Sequence, residues 1–139
     1  MINAKDVIRM KIPYPSINSR LAVAAHMYIC KENKNHRYEY IKCQTLKPSM
    51  LLGNQMRHYC DENADISRNP FQRATRIDCD KLFITENVEY ADGLKTTSRP
   101  DICDELYNDI LDELHKDGYS NINIDENTLK NLNPLITPI

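Results

Sequence analysis

Hydrophobic and polar residues alternate near the start of the chain. Between residues 6 and 12, Val7, Arg9 and Lys11 interleave with Ile8, Met10 and Ile12, the period-two signature of a half-buried strand. Pro13, Pro15 and Asn18 interrupt the pattern, so 14–19 reads as a loop partly shaped by proline. Alternation returns over 20–30, where Leu21, Val23, Ala25, Met27 and Ile29 share one face and Arg20, Ala22, Ala24, His26 and Tyr28 the other. This puts Arg20 at the loop edge of a second strand, with His26 roughly 20 Å further along and outside its reach. A polar turn over 31–36 and the aromatic and β-branched run 37–45, closed by Thr45, complete a hairpin.

Residues 46–72 contain Pro48, Gly53 and Pro70 and keep no sustained period, which predicts a long loop insertion with a short helical turn near 50–56. One further strand is predicted over 74–85, with Ile77, Cys79 and Phe83 on one side and Arg76, Asp78 and Asp80 on the other. The strongest element is a helix over 99–116, where Ile102, Leu106, Ile110 and Leu114 recur at helical spacing. Ser98 suits its N-cap, Pro100 and Asp101 its first turn, and Gly118 its stop. An extra tail over 119–139 adds a short strand at 122–124 and a helical turn at 126–131. Strands followed by one amphipathic helix predict an α+β fold, a small barrel or curled sheet capped by the helix, in a single domain 1–139.

Composition narrows the class. A chain of 139 residues, 41% of them hydrophobic, suits one modest core. No apolar run approaches the roughly 20 residues of a membrane span, and the N-terminus lacks the apolar stretch of a secretory signal, which implies a soluble cytoplasmic protein. Cys30, Cys43, Cys60, Cys79 and Cys103 are odd in number and never form CxxC, so they read as reduced, mostly buried thiols rather than a disulfide frame or zinc site. Three glycines cannot build a glycine-rich phosphate cradle, and no metal motif or nucleophile elbow is present, so no cofactor or metal is expected. The net charge of −2 conceals a division. Residues 1–100 carry 16 Lys and Arg against 11 Asp and Glu, whereas 101–139 carry 2 against 9. The basic body suits a polyanion such as RNA, and the acidic segment suits solvent or a basic partner.

The remaining candidate chemistry is a set of polar residues at strand ends: Arg20, Thr45, Arg76, Asp78 and Asp80. Metal-free RNA cleavage needs a base for the 2′-hydroxyl, a cation for the phosphate and an acid for the leaving oxygen, and this set contains suitable groups. The plain alternatives are a surface ion pair for Arg20, solvated strand carboxylates for Asp78 and Asp80, and a β-forming residue for Thr45. Arg57 and His58, in the long loop, read as a surface pair within reach of the site.

The order of these features resembles the PemK/MazF-type toxins of type II toxin-antitoxin modules. The resemblance is carried by DVIRMKIPYPS, SRLAVAAHMYIC, KCQT, IDCDKLFIT and the helix DICDELYNDILDEL, over about residues 5–115. It implies an SH3-like barrel closed by the C-terminal helix, a homodimer, and a metal-independent endoribonuclease acting on single-stranded RNA and held inactive by an antitoxin. By the same resemblance, Arg20 matches the arginine that stabilises the phosphate transition state, Thr45 the hydroxyl at the site, and Asp80 the aspartate of the CDQ-like strand. Asp78 stands where some members place a second arginine and Lys81 where glutamine is frequent, with Arg76 on the same strand face as a substitute cation. A non-catalytic module binding nucleic acid or a protein partner is the second reading of the same residues.

Overall fold

The computed structural model describes residues 1–52 and 56–139. Its strands are β1 (Val7–Met10), β2 (His26–Lys34), β3 (Arg37–Thr45), β4 (Tyr59–Glu62), β5 (Thr75–Asp78), β6 (Lys81–Glu86), β7 (Val88–Tyr90), β8 (Ser120–Asn123) and β9 (Ile136–Pro138). The helices are α1 (Arg20–Val23), α2 (Pro48–Leu52), α3 (Asp104–Leu114) and α4 (Glu126–Leu132), with a 3-10 turn at Asp92–Leu94.

The predicted hairpin forms from β2 and β3. Its turn is Asn35 and His36, both in the left-handed region with φ of 51° and 63°, which matches the strand twist in a two-residue connection. β1 pairs antiparallel with the outer edge of β2. The second edge of β3 is divided: Cys43, Gln44 and Thr45 pair with Ile77, Arg76 and Thr75 of β5, and Arg37 to Tyr40 pair with β6. β4 extends β5, β8 joins β6 in parallel, and β7 pairs with β9 in a separate ribbon.

This fork corrects the expected SH3-like barrel. Among the described residues the strands form a branched, mostly antiparallel sheet with no closed barrel, a small α+β fold. The outer edge of β1, which closure would need, is met by single bridges from Asp6 to Asp101 and from Ile8 to Lys95 rather than by a strand. The sheet has a core on each face. α3 lays Leu106, Ile110 and Leu114 against Val7, Ile29, Ile41 and Ile77. On the other face Ile8, Met10, Tyr28, Tyr40 and Phe83 meet Tyr90, Leu129 and Ile136. Neighbouring Val7 and Ile8 are therefore both fully buried, and β1 is covered on two sides rather than one.

Local corrections have local causes. Residues 20–23 are a helical turn instead of strand: Val23 N donates to Ser19 O at 3.0 Å and Ala24 N to Arg20 O at 3.3 Å, so these backbone groups are satisfied within the turn rather than in a strand ladder. The predicted strand 74–85 breaks at Cys79 and Asp80, where the chain passes from one half of β3 to the other. Residues 46–72 hold α2 and β4, and of the turn predicted at 50–56, residues 53–55 lie outside the described residues. The helix starts at Asp104, capped by Cys103 rather than Ser98. Residues 100–102 run alongside β1 instead: Val7 N donates to Pro100 O at 2.8 Å and Ile102 N to Lys5 O at 3.0 Å. Gly118, with φ of 80°, makes the left-handed turn into β8.

The contact between α3 and the sheet gives a direct test of this architecture. Ile110 is fully buried at its centre, so Ile110→Ala costs about 2–5 kcal/mol of unfolding free energy. Urea denaturation measures it, and a loss under 1 kcal/mol contradicts the packing.

Candidate nucleic-acid interface

The five residues singled out in the sequence separate in the fold. Arg76 is almost fully buried; its Nε and Nη2 donate to the two carboxylate oxygens of Asp61, both at 2.8 Å, and its guanidinium lies 3.8 Å from the centre of the Tyr59 ring. Asp78 is wholly buried, 2.7 Å from Lys81 Nζ and 3.5 Å from Lys42 Nζ, and it accepts the backbone N–H of Asp80. Asp80 accepts the backbone N–H groups of Arg57 and His58 at 2.7 and 3.0 Å. All three side chains are occupied in holding β4, β5 and β6 together. Arg20 and Thr45 are exposed, and neither side chain makes a hydrogen bond or ion pair among the described residues.

Thr45 opens onto a cleft of about 240 Å³ at the C-terminal end of β3. Arg9 of β1, His26 of β2, Gln44 and Thr45 of β3, and Gln72 and Arg73 line it. The far wall comes from the segment read as loop insertion, and Asn69 makes it rigid. Fully buried Asn69 donates through Nδ2 to Glu62 and to Asn63 O, both at 3.0 Å, and accepts from the backbone of Phe71 and Asp65. Phe71 then packs into the α3 core, leaving Gln72 and Arg73 exposed beside the cleft. No carboxylate lines the cleft, and Arg9 and Arg73 have no ion-pair partner among the described residues.

His26 is half-buried, and its Nδ1 lies 2.9 Å from Ala24 O. A carbonyl only accepts, so Nδ1 carries the proton of the neutral ring and Nε2 keeps its lone pair. Burial lowers the His26 pKa below its ordinary 6.5, assisted by the charges of Lys42, Arg20 and Arg9 and opposed by the Ala24 contact. The ring is thus a neutral base at pH 7. The charge of Arg20 reaches His26 because α1 rises only about 1.5 Å per residue where a strand would rise about 3.3 Å. The separation expected from a continuous strand is corrected accordingly. Arg9, Gln44, Gln72 and Arg73 escaped notice in the sequence; the one local signal is Arg9 as the single exposed position of β1.

A search against family models, curated proteins and solved structures finds no match. The site therefore rests on its own geometry. Among the described residues, no three His, Cys, Asp or Glu side chains gather as metal ligands, and no helix is long and apolar enough to cross a membrane.

A second polar cluster lies at the C-terminal end of α3. His58 Nδ1 is 2.8 Å from Glu113 Oε2 and its Nε2 is 2.9 Å from Asp117 Oδ2, and Arg57 also reaches Asp117. These carboxylates raise the His58 pKa above 6.5. A raised folded pKa means that the stabilisation is complete below the unfolded value and lost as pH rises through the folded one. The gap in Tm between the native chain and His58→Gln is expected to be widest near about pH 5.5 and to narrow toward about pH 9. A gap constant across that range contradicts the assignment.

Proposed function

We propose that the cleft binds single-stranded RNA and cleaves it without a metal, as a ribonuclease of the cytoplasm. The observation that carries the reading is a cleft that, among the described residues, has no carboxylate in its lining and holds two arginines without an ion-pair partner, beside a histidine kept neutral with one lone pair available. Arg9 and Arg73 suit the non-bridging oxygens of a phosphodiester, as donors whose charge is not already neutralised. His26 Nε2 takes the proton of the ribose 2′-hydroxyl, and the 2′-oxygen attacks phosphorus. The bond to the 5′-oxygen breaks, that oxygen takes a proton from water, the hydroxide so formed recovers the proton held by His26, and a 2′,3′-cyclic phosphate remains. Thr45 supplies a hydroxyl to the phosphate, and Arg20 adds positive charge beside His26.

The reaction class agrees with the PemK/MazF resemblance in motif order, and Thr45 keeps the role that resemblance implies, whereas the phosphate contact it implies for Arg20 passes to Arg9 and Arg73. His26 is the base in this reading, and Asp80, matched by the resemblance to the CDQ-like strand, stays outside the chemistry because its carboxylate is bound to two backbone N–H groups. A second copy of the chain and an antitoxin that covers the cleft belong to the same reading. Binding without cleavage is the second reading, favoured by the exposure of the cleft.

Incubation of the purified chain with single-stranded RNA in EDTA is expected to yield fragments ending in 2′,3′-cyclic phosphate. His26→Gln lowers the rate by roughly 100-fold or more. Because the base must be neutral, the native rate falls only as pH drops through the depressed His26 pKa, and that limb is absent in the variant. Intact RNA leaves the binding reading, and 3′-hydroxyl ends or a His26→Gln enzyme of native rate contradict the mechanism.

Salt separates electrostatic binding from the rest. Arg9→Ala and Arg73→Ala are each expected to reduce the slope of log affinity against log salt by about 0.7. Unchanged slopes in a filter-binding titration move the RNA contact elsewhere.

A further inference from the structure

A second cleft of about 210 Å³ adjoins the first and shares Arg9, Met27 and Gln72 with it. Its outer wall is the segment after the 3-10 turn, where Thr97 and Ser98 are exposed and make no side-chain hydrogen bond among the described residues. That wall is anchored from beneath. Thr96 N donates to Val7 O at 3.0 Å, and Thr96 Oγ1 donates to Arg99 O at 2.6 Å. Lys95, the other cation of this cleft, lies 3.5 Å from the Asp6 carboxylate, which leaves Arg9 as the uncompensated charge. Among the described residues, no carboxylate lines the second cleft either.

Each cleft alone is smaller than the roughly 300 Å³ at which sites for drug-sized ligands begin. Two small clefts separated by a cation match the repeat of a nucleic acid strand, which places one phosphate between every two nucleosides. Gln72 stands on the same boundary, with a donor and an acceptor on one amide, the residue type that reads a base edge.

Building on the ribonuclease reading, we propose that the two clefts are one groove for a dinucleotide step, with Arg9 on the phosphate between them and Gln72 reading a flanking base. The polarity follows from His26, which lines only the first cleft. The 2′-hydroxyl that attacks belongs to the nucleotide 5′ of the cut, so that nucleotide occupies the first cleft. The nucleotide 3′ of the cut occupies the second, against Thr97 and Ser98.

Calorimetric titration of the full chain with non-cleavable 2′-O-methyl dinucleotides and with the matching nucleoside 3′-monophosphates tests the groove. The dinucleotides are expected to bind roughly tenfold tighter or more. Thr97→Glu, a carboxylate at an exposed position of the second cleft, brings the ratio of the two affinities to about one. In cleavage assays the same variant alters base preference 3′ of the cut. Monophosphates and dinucleotides of equal affinity, or a ratio that Thr97→Glu leaves intact, overturn the dinucleotide groove while the ribonuclease reading stands. No binding of either probe overturns both.

Discussion

The divided edge of β3 constrains everything that reaches the cleft. One strand cannot pair along its whole length with both β5 and β6, so Cys43 to Thr45 take the first and Arg37 to Tyr40 the second. The chain must then change lanes within Cys79 and Asp80, and β5 is pulled away from the line of β6. Gln44 and Thr45 face open space at the end of β3, and the segment leading into β5 supplies Phe71 as a plug and Arg73 as a rim.

Such a fork needs polar groups in places where apolar packing cannot satisfy the backbone. At the lane change, the Asp78 carboxylate accepts the N–H of Asp80, and the Asp80 carboxylate accepts those of Arg57 and His58. A buried carboxylate is tolerated only with compensating charge and hydrogen bonds, and Lys42 and Lys81 provide the charge for Asp78. Arg76 is in the same position on the opposite sign, clamped by Asp61 and lying over Tyr59. Residue types that read as an acid, a base and a cation in the sequence are the fasteners of the branch. Their ligands are already in place within the chain.

What could be read from the chain follows this division. Short-range patterns located β1, the hairpin, the apolar stripe of α3 and the two small elements of the tail, because each depends on spacing within a few residues. Fork, split strand and displaced helix start depend on partners far along the chain: the edge of β1 competes for residues 100–102, and the two halves of β3 compete for residues 75–86. No period in a linear sequence records that competition. The site shows the same limit. Thr45 was legible as a strand-end hydroxyl, but Arg9, His26 and Arg73 come from three separate stretches. Their convergence depends on the β1–β2 register, which sets Met10 opposite His26, and on the loop ordered by Asn69.

Charge is the property for which a count misleads most. A net charge of −2 gives no reason to expect affinity for a polyanion, yet the carboxylates nearest the groove are engaged by other groups. Asp61 is bound to Arg76, Glu62 to Arg68 and Asn69, Asp6 lies against Lys95, and Glu105 is paired with Arg68. The Asp61–Arg76 and Asp6–Lys95 pairs are locally neutral, and Glu62 and Glu105 share the single charge of Arg68. Arg9, Arg20 and Arg73 have no such partner among the described residues, and their fields add at one end of the sheet. At about 0.1 M salt, charges more than about 10 Å away are largely screened. A chain of net charge −2 therefore holds a groove whose lining carries arginines and no carboxylate among the described residues.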